Sequence, residues 1–260
     1  MTEPNLNANS DKIKELIDDP KFQEQGYSLD VVVYSIAGSP LQHTNIELMK
    51  DGQFVTSFDL WSLNRKNELI NGAGDATLYE DDEKLAPVMD DNKEDNFVVK
   101  PENEVARSTL VSGTGMDVLV PLAKMSEFTA HAEKQNLNYE KWPEKNQKNE
   151  SNSNGMAFAL VEHAGFPMPD EITKATSENS VGIDTTPGKD DNLRGKIWPQ
   201  GKSSAYDAYD SDPQALLKDK NQMKQFYDDL DAIDLNKQQK DLKTQAAETE
   251  ASKPSSVPRP

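Results

Sequence analysis

Asn152-Ser153-Asn154 opens a stretch with helical periodicity, NGMAFALVEHA over residues 154–164. Short polar residues there cap free backbone amides. The same geometry serves chemistry: a hydroxyl at a helix N-terminus sits in the positive end of the dipole, beside N–H groups that can receive an oxyanion. Serine is a weak nucleophile and needs a base. His43 is the candidate base, since neutral imidazole accepts a proton near pH 7. Asp59 is the candidate orienter of its ring. Ser153, His43 and Asp59 are thus the residues whose types could do nucleophilic chemistry.

A hairpin must hold His43 and Asp59. Thr44–Met49 and Phe54–Leu60 flank the turn Lys50-Asp51-Gly52. A three-residue loop sets Leu48 opposite Phe54, Ile46 opposite Thr56 and Thr44 opposite Phe58. It separates a mostly apolar face from a mostly polar one carrying His43, Asn45 and Glu47. That register puts His43 directly across from Asp59 and leaves Trp61 on the polar face, lining a cleft. Asn45, Asn152, Asn154 and Trp61 are the candidate substrate-binding side chains.

The remaining elements follow from periodicity and punctuation. Asn9-Ser10-Asp11 caps a short N-terminal helix. SLDVVVYSI, residues 28–36, is a strand ended by Gly38-Ser39-Pro40. Residues 109–111 and DVLVPL, residues 117–122, read as further short strands. Residues 124–135 read as a helix, and Gly165 stops the helix over 154–164. A late helix runs from Pro213 to Asp234. Residues 71–105, with Glu80-Asp81-Asp82-Glu83 and Asp90-Asp91, read as an exposed acidic loop; the D-x-D-x-D-G spacing of a calcium loop is absent. The expected division is an N-terminal helix and polar arm (1–27), a core (28–170), a loop-rich extension with the late helix (171–236) and a disordered tail (237–260).

The motif Asn152-Ser153-Asn154, its helix ending in Ala164-Gly165, and the earlier strand Gln42-His43-Thr44-Asn45-Ile46-Glu47-Leu48 resemble the nucleophile and histidine elements of circularly permuted papain-like proteins, which include NlpC-like cell-wall amidases and acyl hydrolases. Tyr139, about a dozen residues before the motif, fits uncharacterised bacterial members of that group. The resemblance spans residues 28–170. It implies an α+β fold with a mostly antiparallel sheet against a few helices. It also implies joint roles for Ser153 as nucleophile, His43 as base and Asp59 as orienter in the hydrolysis of peptidoglycan or another amide or ester, and a bacterial effector toxin as one biological setting. The family's cysteine falls at Ser153, so the alternative is a catalytically inactive scaffold acting as an acidic protein-interaction module.

Composition narrows the partners. The chain has 260 residues, 28 Lys+Arg against 46 Asp+Glu, a formal charge of −18 and no cysteine. The charge opposes nucleic acid and favours a basic protein partner. Without cysteine there are no disulfides or thiolate metal sites. Histidines at 43, 131 and 163 lack metal-ligand spacing, with His131 expected at the surface and His163 favourably placed at a helix C-terminus. Trp142 and Trp198 read as loop or core-edge anchors. No phosphate-binding glycine motif occurs, and no cofactor is expected. The N-terminus lacks the pattern of a secretory signal, so synthesis in the cytoplasm, with any export by a dedicated secretion system, is expected. No run of about 20 apolar residues is present to span a membrane.

Overall fold

A computed structural model of the chain describes residues 8–35, 42–63, 84–90, 103–133, 138–139, 150–151, 153–178, 193–198 and 201–232. Strands β1 (Gln25–Ser35), β2 (Gln42–Lys50), β3 (Gln53–Leu63), β4 (Lys84–Asp90), β5 (Glu104–Thr114), β6 (Asn138–Tyr139) and β7 (Glu150–Ser151) form one sheet in the order β5-β1-β2-β3-β4-β6-β7. All pairings are antiparallel except β6 with β7. Helices α1 (Ala8–Asp18), α2 (Gly115–Glu133), α3 (Ser153–His163), α4 (Asp170–Glu178), α5 (Leu193–Ile197), α6 (Pro213–Lys218) and α7 (Lys220–Ala232) complete an α+β fold.

The valine run of β1 divides by alternation. Leu29, Val31 and Val33 join Ile46, Leu48 and Phe58 in the core. The same core takes in Ile13 of α1, Leu119 and Phe128 of α2, Met156 and Leu160 of α3, Ile172 of α4, and Phe226 and Leu230 of α7. The opposite sheet face carries Asp30, Val32 and Tyr34 on β1, and His43, Asn45 and Glu47 on β2. It is polar, as the hairpin pattern predicts, yet these six residues are all buried.

The hairpin closes differently from the expectation. Lys50 pairs with Gln53, so the loop is the two residues Asp51 and Gly52, at φ +50° and +74°. Positive φ at both positions is the turn that Asp-Gly favours, because its twist matches the strands. A bulge then leaves Val55 without a cross-strand partner, since Met49 faces Phe54 and Leu48 faces Thr56. This bulge, rather than a longer loop, restores the segregation of faces. Ile46 therefore sits opposite Phe58, not Thr56. Continued by one step, that register sets Asn45, not His43, against Asp59.

Three other expectations need correction. DVLVPL is helical, lying inside α2. Asp117 Oδ2 accepts from Thr114 N and Oγ1 at 2.6 and 2.8 Å, so its carboxylate, in the first turn of the helix, reaches back to the residue before its start. Val118, Leu119, Val120, Leu122 and Ala123 are all buried, so this part of α2 carries apolar side chains around most of its circumference, while Asp117 at its start is exposed. The acidic segment 71–105 contributes β4, paired along β3 from Ser57–Asp90 to Leu63–Lys84, and β5 begins at Glu104. The late helix is broken at Asp219, whose Oδ1 accepts from Asn221 N and Gln222 N at 3.0 and 3.1 Å and so caps α7. Gly38-Ser39-Pro40, the run 80–83, Asp91 and the tail from 237 lie outside the described residues.

Helix α3 keeps its expected end. Gly165 has φ +94°, Phe166 N donates to Val161 O and Gly165 N donates to Glu162 O, both at 3.1 Å.

Candidate functional site

Ser153 is the first residue of α3, and Asn154 follows it in the first turn. Thr44 Oγ1 donates to Asn154 Oδ1 at 2.8 Å, seating that turn on β2. Successive side chains of a strand point to opposite faces. Thr44 faces α3 and the core, so His43 faces away from them. His43 is buried and pairs across the ladder with Tyr34, on the face that carries Glu47. The sheet thus brings Asn154 to Thr44, and it sets the direction of His43 away from the α3 N-terminus. Asp59 and Trp61 lie in β3, opposite Val88 and Ala86 of β4. Their side chains and that of Ser153 lie outside what is described, as does Asn152 entirely.

Asn45 has no solvent exposure, and neither its Oδ1 nor its Nδ2 has a hydrogen-bond partner among the described residues. Such an amide costs stability unless something answers it.

The polar face holds a network that sequence reading missed. Arg107, on β5, reaches over β1 with its guanidinium fork. Nη1 donates to Asp30 Oδ2 at 3.0 Å, and Nη2 donates to Glu47 Oε2 at 2.9 Å and to Glu104 Oε2 at 2.8 Å. Thr109 Oγ1 donates to Asp30 Oδ1 at 2.8 Å, and Tyr34 OH donates to Glu47 Oε1. Burial opposes the Arg107 charge, but the bonds to Glu104, Glu47 and Asp30 outweigh it and raise its pKa. Burial and the adjacent Glu47 carboxylate hold the Tyr34 phenol far above its usual range. The network joins β5, β1 and β2 through charge-assisted bonds. A signal for it existed: Asp30 and Glu47 each interrupt an apolar run.

A second polar group pins the segment after α5 to α2. Burial opposes the Lys124 charge, but its bonds to Asp210 and Asp207 raise its pKa. Glu127 accepts from Ser204 Oγ at 2.6 Å and from Ala205 N at 3.1 Å, and lies 3.6 Å from His163 Nε2. Burial alone would raise the Glu127 pKa, but His163, Ser204 and Ala205 together pull it below its ordinary value. His163 ends α3 as expected, buried between Phe128 and Trp198 at ring separations of 4.9 and 4.6 Å. His131, expected at the surface, is half-buried with its ring edge-on to Trp198 at 4.7 Å. Trp198 is a core residue, 2 % exposed, and its Nε1 donates to Lys202 O. Tyr139 lies in β6, and Trp142 lies outside the described residues. Among the described residues no three His, Cys, Asp or Glu side chains come together as metal ligands, and no helix is long and apolar enough to cross a membrane.

No family model, no curated protein and no solved structure matches this chain.

Proposed function

We propose that this chain is an acidic protein-interaction module, a papain-like α+β scaffold without catalytic activity that docks a basic protein partner. The observation that carries the reading is the alternation in β2. Thr44 bonds Asn154 at the start of α3, and His43, one residue earlier, faces the other side of the sheet. With His43 turned away, Ser153 lacks the base assigned to it, and a serine needs a base to attack an amide or ester at neutral pH. Charge supplies the positive side of the argument. At −18 the chain attracts basic surfaces and steers their approach. Fluorescence anisotropy of a labelled lysine-rich peptide and of its glutamate twin tests it. Binding of the lysine peptide alone supports the module; equal binding of both, or of neither, overturns it.

The rival reading is a hydrolase with Ser153 as nucleophile, acting on peptidoglycan or another acyl bond. It is favoured by the same Thr44–Asn154 bond, which seats the helix start on the histidine strand. Release of product from peptidoglycan or an acyl ester, abolished by Ser153→Ala, is its test.

A further inference from the structure

We propose that the outer edge of β5 takes up a short extended segment of the basic partner as an added strand; this rests on the interaction-module reading. β5 ends the sheet order and pairs with β1 alone among the described strands. An edge strand turns alternate N–H and C=O groups outward, which a second chain can pair. Native edges are blunted by Lys, Pro, brevity or bulges. β5 is 11 residues long and has neither Lys nor Pro. It does have bulges: its pairing with β1 skips Val105 and Leu110. Between them Ala106, Arg107, Ser108 and Thr109 pair in unbroken register with Val33, Val32, Val31 and Asp30. That regular window is the part a partner strand can continue, so the segment taken up is short.

Two further observations mark this edge. Val105 is 46 % exposed and is the exposed large hydrophobic side chain among the described residues. An apolar side chain at the end of an open ladder offers contact area beside the backbone bonds. The charge around the edge is negative. Glu104 and Asp117 stand exposed at its two ends, and exposed Asp170 and Glu171 open α4, which packs on β5. Arg107 is occupied by Asp30, Glu47 and Glu104. A segment alternating basic and β-branched residues matches both the pairing and the charge. A second copy of this chain would bring another −18 to the same edge.

The test uses the full chain and two labelled peptides of equal charge. One alternates Lys and Val; the other has Pro in place of Val and cannot form a strand. The expected result is binding of the Lys-Val peptide only, with slowed exchange at the outward-facing amides within Ala106–Thr109. Val105→Lys with Ser112→Lys, both exposed positions, should weaken that binding by about tenfold, because like charges set opposite each other repel. Far-ultraviolet circular dichroism confirms that the variant folds. Equal binding of the two peptides, unaffected by the variant, overturns the edge proposal while leaving the acidic module standing. Binding of neither peptide overturns both. A dimer in sedimentation that Val105→Lys dissolves overturns the assignment of the edge to a basic partner.

Discussion

Thr44 Oγ1 lies 2.8 Å from Asn154 Oδ1, and that bond fixes which face of β2 looks at the start of α3. His43 precedes Thr44 in the same strand, so its ring looks the other way. Turning His43 toward α3 would require breaking the β2 ladder that pairs it with Tyr34. The expected outcome is no difference in hydrolysis of peptidoglycan or nitrophenyl acyl esters among the wild type, Ser153→Ala and His43→Ala. A loss of turnover in both variants would contradict this.

Arg107 should be among the residues on which stability depends most. Its guanidinium is the shared partner of Asp30, Glu47 and Glu104, and the Glu47 side chain has no solvent exposure. Replacing Arg107 by Met leaves that buried carboxylate without its cation, held by the Tyr34 hydroxyl. With Arg107 itself a quarter exposed, the cost should be about 3 kcal/mol, somewhat below that of a fully buried pair. Adding Glu47→Gln to Arg107→Met should recover part of it. Urea denaturation of the single and double variants measures both, and equal midpoints for Arg107→Met and wild type would refute the role.

Asn45 points to a stabilising substitution. Its amide is buried without a partner among the described residues. Asn45→Val keeps similar volume, suits a strand and removes the unanswered polar atoms. It should raise stability by about 1 kcal/mol in the same denaturation assay. A loss of similar size would mean that the amide is satisfied in solution.

Acid sensitivity should trace to Glu127. Its folded pKa is depressed below the ordinary 4.5 despite burial, because His163, Ser204 and Ala205 favour the carboxylate. A depressed carboxylate stabilises the fold above its unfolded pKa and loses that contribution as pH falls through the folded value. Stability should therefore decline below about pH 4.5, with Glu127→Gln less stable at pH 7 but flatter through the acid range. Denaturation midpoints between these pH values check the slope, and parallel profiles would contradict it.

Local signals carried much of the fold. The valines of β1, the place of the turn at residues 50–52 and the Ala164-Gly165 stop act over a few residues and are visible in one pass, whereas the turn's length of two residues is not. The register of β2 against β3 is not visible either, because the bulge at Val55 shifts it by an amount that the turn residues do not encode. DVLVPL has strand-forming side chains, but the Thr114–Asp117 cap and the burial of Val118, Leu119, Val120 and Leu122 around the helix make it helix. β4 is a short apolar run set among acidic residues. The Arg107 network joins partners 60 and 77 residues apart, a distance over which no spacing pattern survives. Of the candidate site, the polar character of the His43, Asn45 and Glu47 face was legible. Its burial was not, because alternation reports which face a residue takes and not what covers that face.

The measurement that tests the central claim most directly is the salt dependence of binding to the lysine-valine peptide, followed by anisotropy. Between about 0.1 M and about 1 M salt the screening length falls from about 10 Å to about 3 Å. An acidic docking module predicts tight binding at low salt and a steep, continuous loss across that range. Binding that is absent at low salt, or unchanged across the series, would contradict it.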